Sequence, residues 1–245
     1  SPEFDRTVFA QVNGVRMRSN GRGAAERDAD LTHDFLSFLE KRATPTPFFA
    51  LLFYDSSHKM IFPAGYPAPF KPISKEVNYL RLDNETDPTP LHNRYRNSVH
   101  YVDGLIGRVL TAMEQQQLLE NTVIVVTGDH GQEFNDSHRN YWGHGSNFTK
   151  YQTGVPLLLY APTLPPGVQR HRTTHFDVMP TLLRDYLGCS EPLDTYSVGR
   201  SLFEEGGRAH FMTRRFDRPA GGGKRHYASL FGLAHLAYAA PGAHA

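Results

Sequence analysis

Cysteine is almost missing. Cys189 is the single one in 245 residues, so no intrachain disulfide can form and the redox compartment is left open. Long apolar runs are missing too. None approaches the ~18 residues that a membrane span needs, and no secretory leader opens the sequence. Neither sign of charge is in excess. The 26 basic and 25 acidic residues leave a net charge of +1, which argues against nucleic acid as a partner. Several signatures are absent as well: there is no G-x-S-x-G elbow, no Walker A run and no G-x-G-x-x-G fingerprint. Cys189 has no activating neighbour in the sequence, which disfavours a Cys–His nucleophile. Acids thin out at the end, where Asp217 is the only one after Gly206.

What remains is long enough, and ordinary enough in its 39% apolar content, for a substantial α/β core. Residues 1–205 read as one α/β domain. Residues 206–245, rich in Gly, Ala and Arg, read as a flexible tail or an artefact. The start, "SPEFDRTVFAQV", reads as the middle of a loop or as a cloning remnant, so the chain is expected to be a fragment.

Residues 13–28 are polar and Gly-rich and read as a loop. Leu31, Phe35, Phe38 and Leu39 then fall at helical spacing, with Asp28 or Asp30 as the cap. "TPTP" at 44–47 stops that helix. "FFALLFY", 48–54, is continuously apolar and reads as a buried strand that runs into a loop, "DSSHKMIFP". Six prolines between 63 and 90 mark a long surface excursion. Leu91, Tyr95, Val99, Val102, Ile106, Val109 and Met113 then step by three or four, one stripe of a long helix. "VIVVT" and "VPLLLYAP" are two more buried strands. "THFDVMPTLLRDYLG" is a helix capped by Thr174 or Asp177 that ends at Gly188. The alternation predicts a mostly parallel sheet with helices on both faces and ligands beyond the carboxyl ends of the strands.

Chemistry concentrates in two loops at that edge. In "TGDHGQEF", Asp129 and His130 offer a carboxylate oxygen and an imidazole nitrogen, a pair that suits Zn²⁺ or Mn²⁺ better than Mg²⁺. Gly128 and Gly131 let the backbone curl so that both side chains face one ion. The competing reading has Asp129 as a cap and His130 on the surface. Glu133 either positions a neighbour or is exposed. His144 lies between glycines in "NYWGHGSN", with Trp142 as a candidate pocket wall, whereas His138 reads as a solvated loop histidine. His58 and Lys59, in the other loop, can hold a phosphate or sulfate oxygen, or His58 packs in its loop. His175 and Asp177 carry little weight as site residues. His92 and His100 mark the polar or boundary face of the long helix.

In order, "NRYRNSVHYVDGLIGRVLTAMEQQQLLENTVIVVTGDHGQEF", "WGHGSN", "VPLLLYAP" and "THFDVMPTLLRDYLG" resemble the C-terminal half of the sulfatase/alkaline-phosphatase superfamily. The likeness covers roughly residues 30–205 and looks strongest toward the membrane-anchored branch, the YejM/PbgA-type inner-membrane proteins of Gram-negative bacteria. It implies an alkaline-phosphatase-like α/β fold, truncated on its N-terminal side. It implies a single divalent ion (Zn, Mn, Mg or Ca) on Asp129 and His130. It places His144 beside the transferred group, and His58, with Lys59, at the phosphate or sulfate of the substrate. His144 and His58 are then the catalytic histidines of a phospho- or sulfo-ester hydrolase or transferase. The family's hydroxyl or formylglycine nucleophile and its further acidic ligand find no match here. The resemblance also implies a periplasmic domain, joined to the membrane by a missing N-terminal segment, whose substrate class extends to lipid headgroups. The alternative is a non-catalytic headgroup-binding or regulatory domain in outer-membrane lipid homeostasis. The intact "GDHG" and "WGHG" favour the enzyme.

Overall fold

The computed structural model describes residues 10–11, 21–42 and 46–204, and the backbone of 233–238. The chain divides into two compact units. One is Ser1–Val77 with Asp87–Leu118, the other Asn78–Thr86 with Leu119–Ala245.

The first unit is helical. Helix α1 spans Ala24–Lys41, α2 spans Ser56–Lys59 and α3 spans Thr89–Gln115. α1 begins earlier than the sequence suggests, with Gly23 as its N-cap, so residues 24–28 are helix rather than loop. Asp28 is buried inside α1 and does not cap it. Its carboxylate instead accepts hydrogen bonds from the backbone N–H groups of Asp55 (2.9 Å) and Ser56 (2.8 Å), at the start of α2. Burial pushes its pKa up, and hydrogen bonds from Ser56 and Asp55 offset that only in part. The expected "DSSH" loop is therefore one helical turn, anchored from a distance. α1 ends at Lys41, ahead of "TPTP".

"FFALLFY" is the largest departure. Among the described residues it forms no strand, and Phe49, Leu51 and Phe53 are exposed by 83%, 56% and 60%. Apolar content supplies the material of a strand, but only a hydrogen-bonded neighbour makes one. The excursion from 63 to 88 carries no regular element beyond one 3₁₀ turn at Tyr79–Arg81, which belongs to the second unit.

The long helix is present, but its buried stripe is turned by about one residue. Leu91, Asn97, Ser98, Tyr101, Leu105, Val109 and Met113 are buried, whereas Val99 is exposed. The cause is polar. Asn97 is fully buried because its amide closes on both backbone groups of Phe70, at 3.0 and 2.8 Å. Asn93 donates to Pro72 O at 3.1 Å. Two asparagines stitching the proline-rich excursion to α3 outrank the valines in setting which face turns inward. Tyr101 and Leu105 pack with Ala25, Tyr54, Ile61, Phe62 and Tyr66. His92 and His100 are exposed, as expected.

The second unit holds a four-stranded sheet, from β1 (Ile124–Thr127), β4 (Gly154–Tyr160), β5 (Val168–Thr173) and β6 (Leu233–Tyr238), in the order β1-β4-β6-β5. It is not mostly parallel. β1 runs antiparallel to β4 and β5 antiparallel to β6, and only β4 and β6 run parallel. The chain leaves β1 through a long loop and comes straight back as β4, with Thr127 opposite Leu157 and Ile124 opposite Tyr160. β4 is also one-sided: Val155, Leu157 and Leu159 are buried while Leu158 is exposed, the alternation of an antiparallel sheet. Its buried side chains form the core with Leu202, Val123, Val125, Val178, Tyr186 and Phe203.

The returning loop contains a small hairpin, β2 (Glu133–Phe134) with β3 (Trp142–Gly143), and the short helix α4 (Lys150–Thr153). After β5 the chain forms a 3₁₀ turn at His175–Asp177, an α turn at Val178–Pro180 and a π-helical turn at Thr181–Tyr186. Thr174 and Asp177 form a capping box at its start. Gly188 ends it at φ +68°, as the sequence suggests. Within the segment 206–245 the described part is β6, and the rest lies outside the described residues.

Candidate active site

The candidate site grows from the carboxyl end of β1. Gly128 follows Thr127 and leads into Asp129 and His130. Asp129 Oδ1 accepts from His130 N at 3.1 Å, and Asp129 Oδ2 lies 3.7 Å from His130 Nε2. The two side chains therefore converge on one side of the turn. His130 Nδ1 faces the carbonyl oxygen of Gly131 at 2.9 Å. A carbonyl can only accept, so Nδ1 carries the proton and the Nε2 lone pair points toward the Asp129 side. The carboxylate is 69% exposed, and the imidazole 21%.

His144 joins them. Its ring stacks on that of His130, with centroids 4.0 Å apart and planes 28° apart. Its Nδ1 lies 2.8 Å from Gln132 Oε1. An amide oxygen can only accept, so Nδ1 carries the proton. The amide nitrogen of Gln132 reaches Tyr79 OH at 3.4 Å. A neighbouring pair of imidazoles and a carboxylate, all on one loop system, can hold a borderline divalent cation or an oxyanion.

The glycines act differently from the expectation. Neither Gly128 nor Gly131 has a positive φ. Gly131 is required by close packing: a Cβ there would lie 2.2 Å from Tyr151 O and 2.7 Å from Gly154 O. Gly131→Ala is expected to lower stability by about 1–3 kcal/mol or more, read as a drop in the urea midpoint. The left-handed glycines near the site are those beside His144, Gly143 at φ +92° and Gly145 at φ +79°.

Glu133 is not exposed. It is fully buried and accepts four side-chain hydrogen bonds, from Ser137 (2.6 Å), Asn147 (2.8 Å), Gln152 (2.8 Å) and Thr149 (3.2 Å). Burial alone pushes its pKa up, but the four donors outweigh that and hold it below the ordinary glutamate value. Gln132, Asn147 and Gln152 carry no local signature. Their partners lie up to 53 residues away, beyond what spacing can reveal.

The other sequence candidates divide. His175 donates its ring N–H to Gly128 O at 2.7 Å, bracing the start of the site loop. Asp177 is a cap, and its other oxygen accepts from Arg200 N at 3.0 Å. His138 is exposed, as expected for a loop histidine. Trp142 is half-buried and donates its indole N–H to Asn140 Oδ1 at 3.0 Å. His58 and Lys59 lie exposed on α2 of the first unit.

The family description Sulfatase matches residues 4–185. The chain belongs to the sulfatase family. Relatives of this sulfatase-family chain include the inner membrane protein YejM of Salmonella typhimurium, 31% identical over 121 residues, which are 49% of this chain and 20% of YejM. The steryl-sulfatase of Rattus norvegicus is 28% identical over 207 residues, 80% of this chain and 32% of that enzyme. The choline-sulfatase of Rhizobium meliloti is 30% identical over 132 residues, 53% and 25% of the two chains. This sulfatase-family chain thus spans a third or less of the length of these relatives. Membership agrees with the α/β class and with the superfamily likeness of the four ordered motifs. No described helix is long and apolar enough to cross a membrane.

Proposed function

We propose that this chain forms part of a metal-dependent phospho- or sulfo-ester hydrolase or transferase. The observation that carries the reading is the convergence of Asp129 Oδ2 and His130 Nε2, 3.7 Å apart, beside the stacked ring of His144 at the end of β1. The donor set fits one divalent ion. Asp129 supplies a hard oxygen, and His130 supplies Nε2 in a tautomer fixed by Gly131 O. Such an ion, when bound, polarises an ester oxygen as a Lewis acid.

The chain's own residues do the rest. His144, its Nδ1 held by Gln132, presents Nε2 to the transferred group. Neutral, it takes a proton from an incoming hydroxyl; protonated, it gives one to the leaving oxygen. His58 and Lys59 are the anion-binding pair of the first unit, presented from a helical turn that Asp28 anchors. No residue of this chain is assigned as the nucleophile. The proposed substrate is a phosphate or sulfate ester, with a lipid headgroup within that class. The proposed setting is the periplasmic side of an inner membrane, supported by the similarity to YejM.

The test is metal content. The purified chain, saturated with Zn²⁺ or Mn²⁺ and then desalted, is expected to retain about one ion, and the Asp129→Ala and His130→Ala variants to retain little. Equal retention by all three removes the site. Metal binding without turnover of any aryl ester by the full-length protein favours the non-catalytic, headgroup-binding alternative.

A further inference from the structure

The geometry points to Glu133 as a positioning residue for His144, acting through Gln152 and Asn147. His144 sits between two glycines in left-handed conformations, so the turn that carries it does not define its own shape. Something else must select one conformation. The hydrogen bonds show what does.

Glu133 stands opposite Gly143 in the β2–β3 hairpin, at the entry to the turn. At the exit its Oε2 receives Asn147 Nδ2 and Thr149 Oγ1. The same oxygen receives Gln152 Nε2, and Gln152 Oε1 then accepts the backbone N–H groups of Ser146 (3.1 Å) and Asn147 (3.3 Å). Asn147 Oδ1 accepts Thr149 N at 2.8 Å. Every amide in this set has one consistent orientation, because a carboxylate only accepts and a backbone N–H only donates. Both ends of the turn from 143 to 149 therefore refer back to one residue, the entry through the backbone of Glu133 and the exit through its buried carboxylate. Gln132, next in the chain to Glu133, reaches His144 Nδ1. Adjacent residues thus act on His144 in two ways. Glu133 shapes the backbone that carries the imidazole, and Gln132 fixes its ring.

Glu133→Gln is the informative variant. It is nearly isosteric, but its neutral amide oxygen accepts the three donors that share Oε2 more weakly than a carboxylate does, while its amide nitrogen can be taken by Ser137 Oγ. This inference rests on the proposed catalytic role of His144, and two measurements separate them. In the metal-loaded full-length protein, Glu133→Gln is expected to lower kcat for an aryl phosphate or sulfate by about 10- to 100-fold. KM is expected to stay within about twofold and metal content to stay unchanged. In the present chain, at one pH, the ring resonances of ¹³C-labelled His144 are expected to shift while those of His171 on β5 stay in place. Gln152→Met, which leaves the carboxylate intact, is expected to give the same pattern at smaller amplitude and serves if Glu133→Gln does not fold. Wild-type kcat together with an unmoved His144 resonance overturns the positioning role. So does a fall in kcat accompanied by metal loss or a shifted His171. If the full-length wild type turns over no ester, the proposed activity fails, and the resonance measurement still decides whether Glu133 positions His144.

Discussion

Asp129→Ala in the full-length protein is expected to cut turnover of an aryl phosphate or sulfate about a thousandfold. A divalent ion acting as Lewis acid contributes several kcal/mol at the transition state, and each 1.36 kcal/mol is tenfold in rate. Removing one of two converging donors leaves His130 Nε2 without its neighbour at 3.7 Å, so the loss should appear first as lost metal and then as lost rate. His144→Ala is expected to behave differently. It should retain metal and lose about 10²- to 10⁴-fold in kcat, the range for a positioned proton-transfer group. Parallel steady-state kinetics and metal analysis on the two variants check the division of roles. If both variants lose metal equally, His144 is a ligand and its proton-transfer role is wrong.

Acid is expected to unfold the second unit through Glu133. Its pKa is lowered in the folded state, where four donors outweigh the effect of burial. In the unfolded chain it returns to the ordinary value, about 4.3. A carboxylate whose folded pKa is depressed contributes stability that is fully present above the unfolded value and is lost as pH falls through the folded one. Urea midpoints should therefore hold level from pH 7 to about 5 and fall below about 4.3. Glu133→Ala removes the acceptor outright. Stranding Ser137, Asn147, Thr149 and Gln152 donors, at about 1–3 kcal/mol for a buried unsatisfied group, is expected to cost about 3–5 kcal/mol in total. Part of the acid slope should disappear in Glu133→Gln, which does not titrate. A slope identical to wild type in that variant assigns the acid sensitivity to another carboxylate.

Much of the molecule is legible in its letters, and the reasons are local. β1 and β4 announce themselves by short β-branched and leucine-rich runs. The long helix shows in its three-four stepping, and the capping box and the left-handed Gly188 follow from side-chain chemistry within a few residues. Asp129, His130 and His144 stand out in the sequence as candidates beside glycines, and the structure brings their side chains together. What stayed hidden depends on partners far along the chain. The direction of a strand is set by where the chain returns, so the antiparallel β1–β4 pair does not show in either strand alone. The buried face of α3 is set by Asn93 and Asn97 reaching the backbone 21 and 27 residues earlier. Asp28 looks like a cap for its own helix and is spent on another. Glu133 looks like any loop acid until Asn147 and Gln152 are seen to converge on it.

"FFALLFY" has a consequence outside enzymology. Seven successive apolar residues without a charge or a proline, three of them exposed, present an apolar stretch to water. Stretches of this composition template self-association when nothing shields them. Self-association of a purified sample is then expected to run through Phe49, Leu51 and Phe53, residues remote in sequence from Asp129 and His130.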